Sequence, residues 1–115
     1  MPLIRIETSV AVTHEMESAF LSAVSKMLSE CTGKPEEYVM VTLIRAPVLM
    51  AGDSQPAVFA DIRAIGGLTP EVNRQLSKRF CELMSKWFNV AGKSVYMNFT
   101  DVNAANWGVN GTTFG

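Results

Sequence analysis

The chain has 115 residues, of which 48% are hydrophobic and 18% are charged, so it is long enough for one domain with an apolar core. Ten basic and eleven acidic residues are interleaved and give a net charge of −1, without the basic stripe that nucleic-acid binding requires. No apolar run is long enough to span a bilayer, so we expect neither a nucleic-acid nor a membrane partner.

The first half of the chain predicts a strand, a helix and a second strand. Alternating apolar and polar residues over Pro2–Thr8 indicate a strand with one buried face. Thr13 offers an N-cap, and residues 14–31 carry apolar side chains at three- and four-residue spacing, which predicts an amphipathic helix ended by Gly33. Residues 38–44 are nearly all apolar, as expected of a strand covered on both faces.

The second half repeats this order. Residues 57–65 predict a strand, and Thr69 followed by proline predicts the start of a second amphipathic helix. Gly92 is expected to end the turn that follows this helix, and residues Val95–Asp101 predict the partner strand.

These elements predict a single α/β domain over residues 1–115, with pseudo-repeats at about residues 2–56 and 57–115. A helix joins the two strands of each β-α-β unit, so those strands run parallel in one four-stranded mixed sheet with both helices on one face. Several strands look apolar on both faces, which leaves the other face uncovered and predicts self-association. Residues 48–50 and 112–114 are short pieces that are candidates to extend a neighbour's sheet edge.

The cellular location is predicted from the N-terminus and the cysteines. No basic segment followed by an apolar stretch opens the chain, so we expect no secretory signal peptide and a cytoplasmic protein. Cys31 and Cys81 fall on the apolar sides of the two helices, which favours buried thiols over a disulfide or a nucleophile.

Generic motifs of catalysis are absent from the sequence. We find no nucleophile elbow, no glycine-rich phosphate loop and no spacing typical of metal ligands. His14 stands at a helix start and is interpreted as a surface residue rather than a ligand. No metal and no cofactor are therefore predicted.

A set of short motifs nevertheless runs along the whole chain. They are Met-Pro at 1–2, Thr-Gly-Lys-Pro at 32–35, Ala-Ile-Gly-Gly at 64–67, Val-Tyr-Met-Asn-Phe at 95–99, Asn-Ala-Ala-Asn-Trp-Gly at 103–108 and Asn-Gly-Thr-Thr-Phe-Gly at 110–115. In this order and spacing, the chain resembles the macrophage migration inhibitory factor (MIF) family, which includes D-dopachrome tautomerase.

This resemblance implies a homotrimer with three active sites at the subunit boundaries. The implied activity is cofactor-independent keto–enol tautomerisation of phenylpyruvate-like α-keto acids. In the family pattern Pro2 is the catalytic base once Met1 is removed, while Lys34 and the backbone N–H of Ile65 bind the substrate carboxylate. The catalytic residues of this pattern are thus Pro2, Lys34 and Asn98, of which Asn98 comes from the adjacent subunit. The rest of the implied substrate pocket consists of Tyr96 from the adjacent subunit, Tyr38, Trp107 and Phe114.

The chemistry of these residues suits the reaction. Enolisation needs a base that is neutral near pH 7, and an α-amino group titrates near that pH. The secondary amine of proline is more basic, but an apolar pocket and the charge of Lys34 would lower its pKa by disfavouring the protonated form. Asn98 could hydrogen-bond the substrate oxygen on which negative charge develops.

Several interpretations stay open. Tyr96 and Trp107 are explained equally well by packing between subunits, and Arg63 is interpreted as a surface charge rather than a second group that attracts the anion. One alternative function is a MIF-like protein that is exported without a signal peptide and binds a host receptor. Another is a trimeric binding protein with a vestigial pocket.

Two departures from the family pattern reduce the number of functions that can be expected of this chain. Residues 57–60 read Ala-Val-Phe-Ala where some members carry Cys-x-x-Cys, so thiol redox activity is not carried over. The arginine and aspartate of the vertebrate cytokine members are matched here by residues 11–12 and 46–47, which weakens the receptor hypothesis.

Overall fold

The computed structural model describes residues 1–115, and four strands form its main sheet. The strands are β1 (Pro2–Thr8), β2 (Met40–Arg45), β3 (Val58–Ala64) and β4 (Val95–Asp101). They lie in the order β2-β1-β3-β4, with β1 parallel to β2, β3 parallel to β4, and β1 antiparallel to β3. The predicted α/β class and the four-stranded mixed sheet are therefore confirmed.

Two helices begin and end largely where local signals predict. Helix α1 (His14–Thr32) begins after Thr13, whose hydroxyl accepts a hydrogen bond from the Met16 N–H, and it ends at the left-handed Gly33. Helix α2 (Pro70–Phe88) has an equivalent cap at its N-terminus, where the Thr69 hydroxyl accepts a hydrogen bond from the Val72 N–H.

Two predicted boundaries are wrong. Helix α2 ends at Asn89, which takes the left-handed conformation at φ 56°, whereas Gly92 opens the following single turn. The strand predicted over residues 38–44 begins only at Met40, because Tyr38 closes a one-turn helix after Pro35. Both errors arise because the chain turns at residues other than glycine: at Asn89 after α2, and at the one-turn helix that follows Pro35 before β2.

A single hydrophobic core lies between the helices and one face of the sheet. It contains fully buried residues from the two central strands and from both helices, which places α1 and α2 on the same face. The largest are Ile4, Ile6, Ile62, Phe20, Phe80, Met27, Leu28, Leu76 and Met84.

The two thiols lie at the margin of this core rather than inside it. Cys31 and Cys81 are free and only half-buried, so the prediction of buried thiols is only partly met. Burial raises the pKa of the Cys81 thiol, which disfavours its nucleophilic thiolate form.

The face of the sheet away from the helices carries charged residues at its centre. A guanidinium nitrogen of Arg5 lies 3.9 Å from a carboxylate oxygen of Glu7. The corresponding distance between Arg63 and Asp61 is 3.2 Å. The alternation predicted for β1, with one buried face, is confirmed, and β3 alternates in the same way, which places these ion pairs on the uncovered face. The expectation that several strands are apolar on both faces therefore does not hold for β3. Large exposed apolar side chains surround the charges: Met40, Ile44, Phe59 and Tyr96.

The two short pieces proposed to extend a neighbour's sheet form local pairs in this chain. Met50 makes a bridge with Asp53, and β5 (Gly108–Val109) pairs with β6 (Thr112–Thr113) in a small hairpin. Neither α1 nor α2 contains an apolar stretch that would suffice to span a bilayer.

Candidate active site at the Pro2 end of the sheet

Lys34 and Ile65 are far apart in sequence and meet at one end of the sheet. The Lys34 ammonium donates a hydrogen bond of 2.6 Å to the backbone carbonyl of Ile65. Lys34 reaches this position because Gly33 turns the chain at the end of α1, and Ile65 directly follows β3. A single cation is thereby held at the C-terminal end of β3.

The N-terminus of the chain lies at the same end of the sheet. Pro2 is buried at the start of β1 and pairs with Ala64, the residue immediately before Ile65. The pKa of the Met1 α-amino group is lowered from 8.0, first by partial burial and second by the positive charge of Lys34. Because Pro2 pairs with the residue next to Ile65, and Ile65 accepts the hydrogen bond from Lys34, the N-terminus, Lys34 and Ile65 share one end of the sheet.

The state of Met1 decides whether the Pro2 nitrogen can act as a base. While Met1 is attached, that nitrogen belongs to a tertiary amide, which has no proton and no basic lone pair. Removal of Met1 converts it to a secondary amine beside Lys34. The site therefore combines a potential base with a cation that can bind an anion.

Three aromatic residues predicted for the pocket lie in two other segments. Tyr38 is 45% exposed and ends the single turn that follows Lys34. Trp107 and Phe114 are half-buried and adjacent, since the Phe114 N–H donates a 3.1 Å hydrogen bond to the Trp107 carbonyl. The β5–β6 hairpin thus brings two of the predicted wall residues together.

Tyr96 and Asn98 do not join Pro2 within one chain. Both are exposed on the uncovered face of β4, and Tyr96 is 64% exposed. Asn98 pairs with Asp61 of β3, whereas Pro2 pairs with Ala64, three residues further along the same strand. At about 3.3 Å per residue, Asn98 therefore lies about 10 Å along the sheet from the level of Pro2. Within one chain the structure therefore does not bring these two residues together with Pro2.

Gly67 also lies at this end of the sheet, although no pattern in the sequence indicates a role for it there. It has a φ of 84°, and a side chain there would contact Lys34. In the sequence the Gly66-Gly67 pair is noticeable only as part of the Ala-Ile-Gly-Gly motif at residues 64–67. No cluster of three or more His, Cys, Asp or Glu side chains is placed to hold a metal ion.

The family profile described as "Macrophage migration inhibitory factor (MIF)" matches residues 1–115. The chain belongs to the MIF family. The macrophage migration inhibitory factor of Xenopus laevis is 34% identical over 115 residues, which cover 99% of each chain. That of Rattus norvegicus is 35% identical with the same coverage. The resemblance predicted from the motifs is confirmed.

Solved structures of MIF proteins have the same fold. The MIF homologue of Prochlorococcus marinus superposes with a TM-score of 0.92 at 33% identity, covering 98% of this chain and 99% of that one. The MIF-like protein of Entamoeba histolytica gives a TM-score of 0.94 at 31% identity, covering 98% of both chains. Nearly the whole described chain therefore superposes on solved MIF-family structures.

Proposed function

We propose that this MIF-family protein is a cofactor-independent keto–enol tautomerase that acts on phenylpyruvate-like α-keto acids. The observation that carries the proposal is the grouping of the N-terminus, Lys34 and Ile65 at one end of the sheet. The cation of Lys34 provides an anion site, and its charge would disfavour protonation of a Pro2 amine freed at this end of the sheet, so the site offers the two groups that this reaction needs.

In the proposed reaction, the keto and enol forms differ in the position of one proton, and no oxidant or cofactor takes part. The Pro2 amine, free once Met1 has been removed, takes the proton from the substrate carbon beside the ketone. The C–H electrons form the carbon–carbon double bond, and the carbonyl oxygen gains negative charge. That oxygen then receives a proton from the protonated Pro2 amine, directly or through water, which gives the enol and restores the neutral base, and the reverse path gives the keto form.

Lys34 is proposed to bind the substrate carboxylate. Its ammonium has three N–H donors, and only one is used by the Ile65 carbonyl, so two remain for an anion. The backbone N–H of Ile65 is proposed as a further donor. The same positive charge disfavours protonation of the N-terminal amine, so Lys34 contributes both to binding and to the state of the base.

The rest of the proposed site comes from a homotrimer. Asn98 of an adjacent subunit would hydrogen-bond the substrate oxygen, and Tyr96 would line the pocket beside it. Tyr38, Trp107 and Phe114 are proposed as its apolar wall. The uncovered sheet face, with its mixture of exposed apolar side chains and ion pairs, supports assembly because it has no cover within the chain. We propose a cytoplasmic location for the protein.

One experiment tests assembly and activity together. Protein lacking Met1 should elute from a sizing column with light scattering as a species of three times the 12.6 kDa chain mass. Phenylpyruvate tautomerase activity should follow that peak. A monomer would remove the subunit-boundary site from the mechanism, and an inactive trimer would favour a binding protein with a vestigial pocket.

A second candidate function is binding to a host receptor, with the tautomerase pocket secondary. Its support is the name shared by the Xenopus and rat relatives, each about a third identical to the chain. Receptor binding that persists in a Pro2→Ala variant without tautomerase activity would favour this candidate. Binding that is absent while keto acids are turned over would favour the enzyme.

A further inference from the structure

Gly67 lies directly against the end of the Lys34 side chain. A Cβ atom on residue 67 would lie 3.3 Å from Lys34 Cε and 3.9 Å from its Nζ. The shorter distance is below the optimal carbon–carbon separation of about 3.5–4.0 Å. A side chain at residue 67 would therefore crowd the end of the Lys34 side chain, which here donates a hydrogen bond to the Ile65 carbonyl.

Gly66 provides a contrast within the same turn. Gly66 has a φ of 72° and Gly67 a φ of 84°, so both positions favour glycine for the backbone alone. A Cβ on Gly66, however, would have no atom within 4 Å. Backbone conformation thus accounts for both glycines, whereas contact with Lys34 is specific to Gly67.

We propose that Gly67 is a positioning residue, whose missing side chain fixes the point at which the Lys34 ammonium meets the substrate carboxylate. This inference rests on the proposed function, because it takes Lys34 as the carboxylate-binding group. The Lys34 side chain is flexible, so the contact with a methyl group at residue 67 is relieved by a shift of that side chain, in addition to the backbone strain that any residue except glycine carries at this φ. The cost falls on substrate binding, since hydrogen bonds to the ammonium depend on distance and angle.

The test compares Gly67→Ala with Gly66→Ala in protein lacking Met1. The two variants carry the same kind of backbone strain, and their thermal unfolding midpoints should fall by similar amounts. The KM for phenylpyruvate should be about 3- to 10-fold higher in Gly67→Ala than in Gly66→Ala, with a smaller difference in kcat. In a Lys34→Ala background this difference should vanish, because the displaced group is gone. Asparagine tolerates positive φ, so Gly67→Asn and Gly66→Asn serve as a second pair if the alanine variants do not fold.

Equal KM values in the two variants, or a difference that persists without Lys34, would overturn the positioning role. A second readout separates it from the tautomerase proposal: calorimetric binding of 3-phenylpropionate, which has a carboxylate but no ketone. If this ligand binds less tightly to Gly67→Ala than to Gly66→Ala while no keto acid is turned over, the inference stands and the tautomerase proposal fails. Turnover without a Gly67-specific effect overturns the inference alone, and absence of both turnover and binding overturns both.

Discussion

Protein that retains Met1 should fold normally but have a kcat/KM for phenylpyruvate that is lower by a factor of about 10²–10⁴, the usual contribution of a general base. The reason is chemical, because the Pro2 nitrogen cannot accept a proton while it is part of an amide. The half-buried Met1 side chain also occupies space at the same end of the sheet as Lys34. Loss of the base and obstruction of the site act in the same direction.

The forms with and without Met1 are compared within one preparation of the protein. Intact mass identifies the fraction with Met1, and treatment with methionine aminopeptidase converts it to the matched form without Met1. Thermal unfolding midpoints of the two forms should agree closely, which would exclude misfolding as the cause. Full activity in material whose mass includes Met1 would rule out an N-terminal base.

Replacement of Lys34 by alanine should raise KM for phenylpyruvate about 10- to 100-fold, since hydrogen bonds to charged groups contribute about 1.5–3 kcal/mol. The loss in kcat should be smaller, because the carboxylate contact exists in both the bound ground state and the transition state. The methyl ester of phenylpyruvate lacks the anionic carboxylate, so its KM should change little. Lys26→Ala removes the same charge from an exposed position on α1 and serves as the control.

The same variant should shift the pH dependence of kcat/KM. The charge of Lys34 lowers the pKa of the Met1 amine, after the larger effect of burial, and we expect it to act in the same direction on the Pro2 amine, so its removal should raise the pKa of that base. Because the base acts in its neutral form, activity rises as pH increases through this pKa, and the rise should move to higher pH in Lys34→Ala. An equal loss in kcat and kcat/KM, with unchanged KM and pH profile, would assign Lys34 another role.

Local signals were enough to predict most of the fold. Threonine caps at residues 13 and 69 and the left-handed Gly33 fix helix ends through contacts a few residues apart, and such contacts are visible in sequence. Alternation over Pro2–Thr8 likewise predicted which side chains of β1 are buried. The predicted strand start near residue 38 failed because one helical turn after Pro35 precedes β2.

The site could be predicted only through resemblance. No periodicity indicates that Lys34, Ile65 and Pro2 meet, because the order of β1 and β3 in the sheet brings them together. The closeness of Gly67 to Lys34 depends on side-chain positions that only coordinates give. The roles of Tyr96 and Asn98 stay predictions, since one chain leaves both exposed and away from Pro2.

The most direct test of the mechanism is a titration of the Pro2 nitrogen itself. In ¹⁵N-labelled protein lacking Met1, NMR should give a single pKa for this amine that lies well below that of a free secondary amine. The same pKa should govern the rise of kcat/KM with pH, because both observations report loss of one proton from Pro2. A Pro2 amine that stays protonated across the pH range in which activity rises would contradict its role as the base.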